Sequence, residues 1–144
     1  MNPAIEIRPM TIDDYEQAMA LWKITEGMGL RPVDEREYIA RYLERNPGLS
    51  FVAWDEERPV GTVLCGHDGR RGYLQHLAVA RAYRRQGIGK ALVEQALAAL
   101  QANGINKCHL FVIKTNQSAI GFWQHMGWFQ RDDIVTMSKM IPSP

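Results

Sequence analysis

A chain of 144 residues with a formal net charge of +1 suits one domain with an adequate core and gives no reason to expect bulk binding to nucleic acid. No apolar run approaches bilayer-spanning length, and the opening Met-Asn-Pro-Ala-Ile-Glu has no basic-then-apolar signal segment, so a soluble cytoplasmic protein is expected. Cys65 and Cys108 each sit inside an apolar run and read as reduced core thiols, in preference to a disulfide, a metal pair or a nucleophile.

Ile5 to Arg8 predicts a short strand ended by Pro9. Thr11 with Asp14 three residues on forms a near capping box, and Ile12, Tyr15, Met19 and Trp22 follow at helical spacing. Gly27-Met28-Gly29 ends that helix. Asp34 with Glu37 then opens a second one, carrying Tyr38, Ile39, Tyr42 and Leu43 on one face and stopped by Asn46-Pro47-Gly48. Leu49 to Trp54, Val60 to Cys65 and Tyr73 to Ala80 are three strands joined by polar turns. A long helix from about Ile88 to Gln101 places Ile88, Leu92, Ala96 and Leu100 on one stripe, and Asn103-Gly104 caps it. Lys107 to Ile113 reads as a buried strand and Ser118 to Met126 as a short helix. Trp128 to Arg131 and Ile134 to Ile141 read as a closing antiparallel pair. This mixed order fits neither a purely parallel doubly wound sheet nor a sandwich, and no repeat or linker divides residues 1–144, which are expected to form a single domain.

The most informative stretch is Arg84-Arg85-Gln86-Gly87-Ile88-Gly89-Lys90, between a strand and the start of the long helix. A helix N-terminus has unpaired N–H groups and the positive end of the helix dipole, which suit phosphate. Gly87 and Gly89 leave the backbone open to approach, and Arg84, Arg85 and Lys90 add full charges, so the segment reads as a pyrophosphate cradle. The alternative is a surface turn with solvated basic side chains. The glycines are too close together for a Walker loop, and Leu92 stands where a dinucleotide fingerprint needs its third glycine.

Arg84-x-x-Gly87-x-Gly89 resembles the acyl-coenzyme A signature of the GNAT superfamily of N-acetyltransferases, and Asn116-x-x-Ala119-Ile120-x-Phe122-Trp123-x-x-x-Gly127-Trp128 resembles the second motif of that family. The resemblance runs from about Ile5 to Met140. It implies a mixed α/β (α+β) fold, with a mostly antiparallel sheet flanked by helices and split between its fourth and fifth strands. It implies acetyl-coenzyme A as co-substrate. Leu77, Ala78 and Val79 would pair with the pantetheine arm, the segment from Arg84 to Lys90 would hold the pyrophosphate, and Asn116, Ala119 and Trp123 would lie along the arm toward the sulfur. Asn116 also reads as an ordinary helix cap, and Trp123 and Trp128 as core. A homodimer, frequent among similar proteins, remains open.

Acetyl transfer to an amine needs a neutral amine, a donor for the oxyanion and a proton for the leaving thiolate. The strand before the cradle offers Gln75 and His76 with no carboxylate, and strand alternation points them to opposite faces. His76 is one candidate base, the alternative being a structural or solvated imidazole. Glu26, on the loop between the first two helices, is another, the alternative being an exposed helix-end carboxylate. Trp123 stands where many similar enzymes carry a Tyr, and an indole N–H cannot serve as a general acid. His67, His109 and His125 lack metal-ligand spacing, so no metal is expected. The leading expectation is an acetyl-coenzyme A-dependent N-acetyltransferase acting on a primary amine of a small molecule, peptide or protein by direct transfer. The competing one is a non-catalytic acyl-coenzyme A-binding regulatory module.

Overall fold

The computed structural model describes residues 2–144. They fall into two compact units, the first running to Phe111 and the second spanning Val112–Pro144.

In the first unit, strands β1 (Ile5–Pro9), β2 (Phe51–Asp55), β3 (Arg58–His67), β4 (Gly72–Val79) and β5 (Cys108–His109) lie in that spatial order in one sheet. The first three pairings are antiparallel and the β4–β5 pairing is parallel, so the sheet is mixed, as expected. Helices α1 (Tyr15–Lys23) and α2 (Arg36–Arg45) cover one face and α3 (Ile88–Ala102) covers the other. Neighbouring residues of β3 show the division. Thr62 bonds Trp22 of α1, whereas a Cβ on Gly61 would lie 3.0 Å from Leu92 and 3.2 Å from Ile88 of α3. Glycine at 61 is therefore what lets α3 sit this close to the sheet. Covered on both faces, β3 is buried from Val60 to Gly66. Each of the fully buried Ile88, Leu92 and Val93 contributes roughly 1.5–3 kcal/mol by leaving water.

The predicted start of the second helix is corrected. Arg31, with Pro32 after it, begins a 3-10 turn over Pro32–Asp34, and the Asp34 carboxylate accepts the Arg31 N–H at 2.9 Å. Glu35 is extended, so α2 begins at Arg36. The capping residues at Thr11 and Asp14 do meet, with the Thr11 N–H donating to Asp14 at 2.9 Å, but they open a 3-10 turn ahead of α1.

Three predicted strands also differ. The strand expected over Lys107–Ile113 pairs only at Cys108–His109. In the second unit, Trp128–Arg131 and Ile134–Ile141 form no strand, and Ile134, Val135, Met137, Met140 and Ile141 are exposed. A strand needs a neighbouring strand for its backbone groups, and among the described residues neither segment pairs with one. Local side-chain bonds take their place: Gln130 donates to Asp132 at 3.0 Å, and Arg131 grips Asp133 through two bonds of 2.9 and 3.0 Å. The helix of this unit is α4 (Gln117–His125).

Candidate functional site

The start of α3 has the form the sequence implies. Gly87 is the N-cap in the left-handed region, φ 83°, and no side chain caps the helix. The first bond into α3 runs from the Ala91 N–H to the Gly87 carbonyl at 3.0 Å, so the amides of Ile88, Gly89 and Lys90 have no carbonyl ahead of them to use. A Cβ placed on Gly87 would meet nothing within 4 Å, which leaves the approach to those amides open. Arg85 is also left-handed, φ 63°, and both it and Gln86 are exposed. Lys90 is exposed and only loosely paired with Glu94 at 3.9 Å. Three free amides, two exposed cations and an open glycine fit a diphosphate.

Arg84 is differently employed. Its Nε donates to the Val79 carbonyl at 2.9 Å, and its guanidinium pairs with Glu26, which also takes a bond from Arg81 at 3.4 Å. The hydrogen bond from Arg84 holds the Glu26 carboxyl well below the usual range, at about 2. Glu26 is thus an ionised partner of two basic side chains, a poor state for a proton acceptor. With Leu21, Ile24, Thr25, Val79 and Arg84 it lines a shallow pocket where α1 and β4 end.

From Leu74 onward no strand among the described residues pairs with the outer edge of β4, because β5 meets it only at Gly72 and Tyr73. The uncovered stretch contains Leu77, Ala78 and Val79 and leads directly to the cradle. It also contains a bulge. Thr62 pairs with Ala78 and Leu64 with Gln75, so His76 and Leu77 together oppose the single residue Val63. His76 takes the left-handed conformation, φ 50°. The bulge changes which face the strand presents: Gly72 lies against Leu100 of α3, whereas Ala78, of the same parity, belongs to the core under α1. His76 is thereby carried to the α1 side, and simple alternation does not describe Gln75 and His76. Gln75 is exposed.

There His76 meets Asp34. Its Nε2 lies 2.7 Å from Asp34 Oδ1, its ring stands edge-on to Trp22 at 4.8 Å, and its carbonyl accepts the Thr62 hydroxyl at 2.9 Å. Thr62 Oγ1 in turn accepts the Trp22 indole N–H at 2.9 Å. Asp34, 6 % exposed, is the partner of His76 that sequence reasoning missed. In the sequence Asp34 reads only as the residue that, with Glu37, opens the second helix, and the pair spans 42 positions across two elements.

In the second unit, Asn116 is the N-cap of α4, its side chain accepting the Ala119 N–H at 3.0 Å. Trp123 stands edge-on to Phe122 at 5.3 Å and to Trp128 at 5.1 Å. Both thiols lie in the first unit. Burial pushes Cys65 up to about 12 and Cys108 up to about 11, so both stay protonated. Among the described residues no group of His, Cys, Asp and Glu side chains could hold a metal ion, and no helix is long and apolar enough to cross a membrane.

Residues 14–128 match the Acetyltransferase (GNAT) family. The chain belongs to that family. An acetyltransferase of Pectobacterium atrosepticum is 34% identical over 138 residues, covering 95% of this chain and 96% of its own. The PaiA N-acetyltransferase of Thermoplasma acidophilum, solved with coenzyme A, superposes with a TM-score of 0.75 at 21% identity over 91% of this chain and 92% of that one. AAC(6′)-Iy, solved with the bisubstrate analogue CoA-S-monomethyl-acetylneamine, gives a TM-score of 0.76 at 17% identity over 95% and 99%. At such identities the two structures speak to the fold.

Proposed function

We propose that the protein is an acetyl-coenzyme A-dependent N-acetyltransferase that passes the acetyl group directly to a primary amine within a ternary complex. The observation that carries this reading is the continuity of two backbone surfaces that no strand or helix of the described residues pairs: the edge of β4 through Leu77 and Ala78 to Val79, whose carbonyl is held by the Arg84 Nε, and the free amides of Ile88, Gly89 and Lys90 that follow it. The amides, with Arg85 and Lys90, bind the pyrophosphate, and Arg84 joins them once released from Glu26. The β4 edge pairs with the amides of the pantetheine arm in the manner of an added strand.

Direct transfer is supported by the thiols. Cys65 is wholly buried and Cys108 half-buried, and both are held protonated, so neither suits a covalent acyl intermediate. The enzyme reading is preferred to a non-catalytic binding module because His76, its imidazole fixed by the Asp34 carboxylate of the turn before α2, lies on the same strand as the receiving edge. A panel of amines tests it, including amino acids, polyamines, aminoglycosides and peptide N-termini, with release of free thiol from acetyl-coenzyme A as the readout. Release that depends on one class of amine is the expected result. Calorimetric binding of coenzyme A with no thiol release for any amine would identify a binding module, and no binding at all would refute the cradle.

A further inference from the structure

We propose that Asp34 is a positioning residue that holds the proton of His76 on Nε2, so that the Nδ1 lone pair accepts a proton from the substrate ammonium. The inference rests on the N-acetyltransferase reading above. An arm that starts from a phosphate at the α3 amides and runs back along Val79, Ala78 and Leu77 brings its far end to the next residue of the strand, His76. The acyl group would arrive where the bulge turns this imidazole.

Asp34 is fixed on three sides. Oδ2 accepts the Arg31 N–H at 2.9 Å, Oδ1 meets His76 at 2.7 Å, and its carbonyl accepts the Tyr15 hydroxyl at 2.7 Å. An ionised carboxylate only accepts hydrogen bonds, so Nε2 must be the donor and the neutral ring keeps its lone pair on Nδ1. Nδ1 makes no hydrogen bond to the described residues. It is also not among their buried polar atoms left without a partner, so some of its surface reaches the outside. The imidazole cannot swing away from this arrangement, because the backbone at φ 50°, the Thr62 bond and the Trp22 ring hold it. A left-handed conformation is unfavourable for a residue with a side chain and persists only where its surroundings impose it.

The proton balance closes. One proton passes from the acceptor ammonium to Nδ1, and the free amine attacks the thioester carbon. The carbon–sulfur bond breaks, the nitrogen loses its second proton as the amide forms, and that proton goes to the departing thiolate. The imidazolium returns its proton to solvent.

The test has two arms. In protein with 15N-labelled histidine, NMR should find Nε2 protonated and Nδ1 unprotonated at His76. In Asp34→Asn the amide nitrogen faces Nε2 while the oxygen keeps the Arg31 N–H, so the proton should move to Nδ1. For the best amine of the panel, Asp34→Asn and His76→Gln should each lower kcat by about 10²–10⁴-fold. KM for acetyl-coenzyme A and melting temperature should stay close to wild type, and the double variant should be no worse than His76→Gln alone. His76→Gln preserves the readout if Asp34→Asn fails to fold. A wild-type ring protonated on Nδ1, or turnover within about fivefold of wild type in His76→Gln, would overturn the proposal while leaving the acetyltransferase reading in place. Thiol release for no amine would remove the reaction, and both would fall.

Discussion

Replacing Thr62 with Val removes one hydroxyl from the centre of the first unit and leaves the shape of the side chain nearly unchanged. Thr62 has no exposed surface, and its oxygen has two partners: it accepts the Trp22 indole N–H and donates to the His76 carbonyl, both at 2.9 Å. Trp22 is itself 1 % exposed, so its N–H would be left buried and unpaired, at a cost of about 1–3 kcal/mol. Loss of the bond to the His76 carbonyl adds about 1 kcal/mol. The extra buried methyl returns about 0.8 kcal/mol. The net expectation is roughly 1–3 kcal/mol of destabilisation. Urea denaturation followed by tryptophan fluorescence should show a lower midpoint with an unchanged slope. In a Trp22→Phe background the orphaned donor is gone, so Thr62→Val should cost clearly less there. A cost below about 0.5 kcal/mol in the wild type, or an equal cost in both backgrounds, would refute the view that this hydroxyl pins the bulge.

If the pyrophosphate of coenzyme A takes Arg84, Glu26 competes with it. Glu26→Gln should then tighten coenzyme A binding by up to about fivefold in calorimetry, the scale of one exposed ion pair, and weaker binding would contradict the competition. Because the Glu26 carboxyl is held at about 2, below its ordinary value, this pair is intact above the usual carboxylate range and is lost only as pH falls through about 2. Coenzyme A affinity should therefore show no step from this carboxylate between pH 5 and 8. Asn116→Ala should cost about 1 kcal/mol in thermal or urea unfolding through loss of the α4 cap. A loss of coenzyme affinity with unchanged stability would reassign the residue to the ligand alone. Trp123→Phe should keep turnover within about a hundredfold of wild type, and a larger loss with unchanged coenzyme affinity would make the indole N–H essential.

The open start of α3 was legible in the sequence because every part of it is local. Gly87, Gly89 and the flanking basic residues lie within one turn of the start of α3, and a helix beginning there leaves its first amides unpaired whatever surrounds it. Helices α1, α3 and α4 were readable for a similar reason: their apolar stripes and caps repeat within a few residues. Thr11 and Asp14, by contrast, do bond each other but open a 3-10 turn and not α1 itself.

What depends on partners distant in the chain was decided by tertiary structure. Trp128–Arg131 and Ile134–Ile141 carry apolar residues that suit strands, yet a strand exists only where another backbone completes its hydrogen bonds, and composition does not record whether one does. His76 is the sharper case. Alternation along Tyr73–Ala80 assigns it a face, but one extra residue opposite Val63 transfers it to the other side of the sheet. Asp34, 42 residues earlier, becomes its partner only because a 3-10 turn and that bulge bring the two side chains together. Sequence by itself determined where α3 opens with unpaired amides beside glycines and basic side chains. Folding determined which carboxylate meets His76, because the face of a strand is set by a register that many distant pairings share.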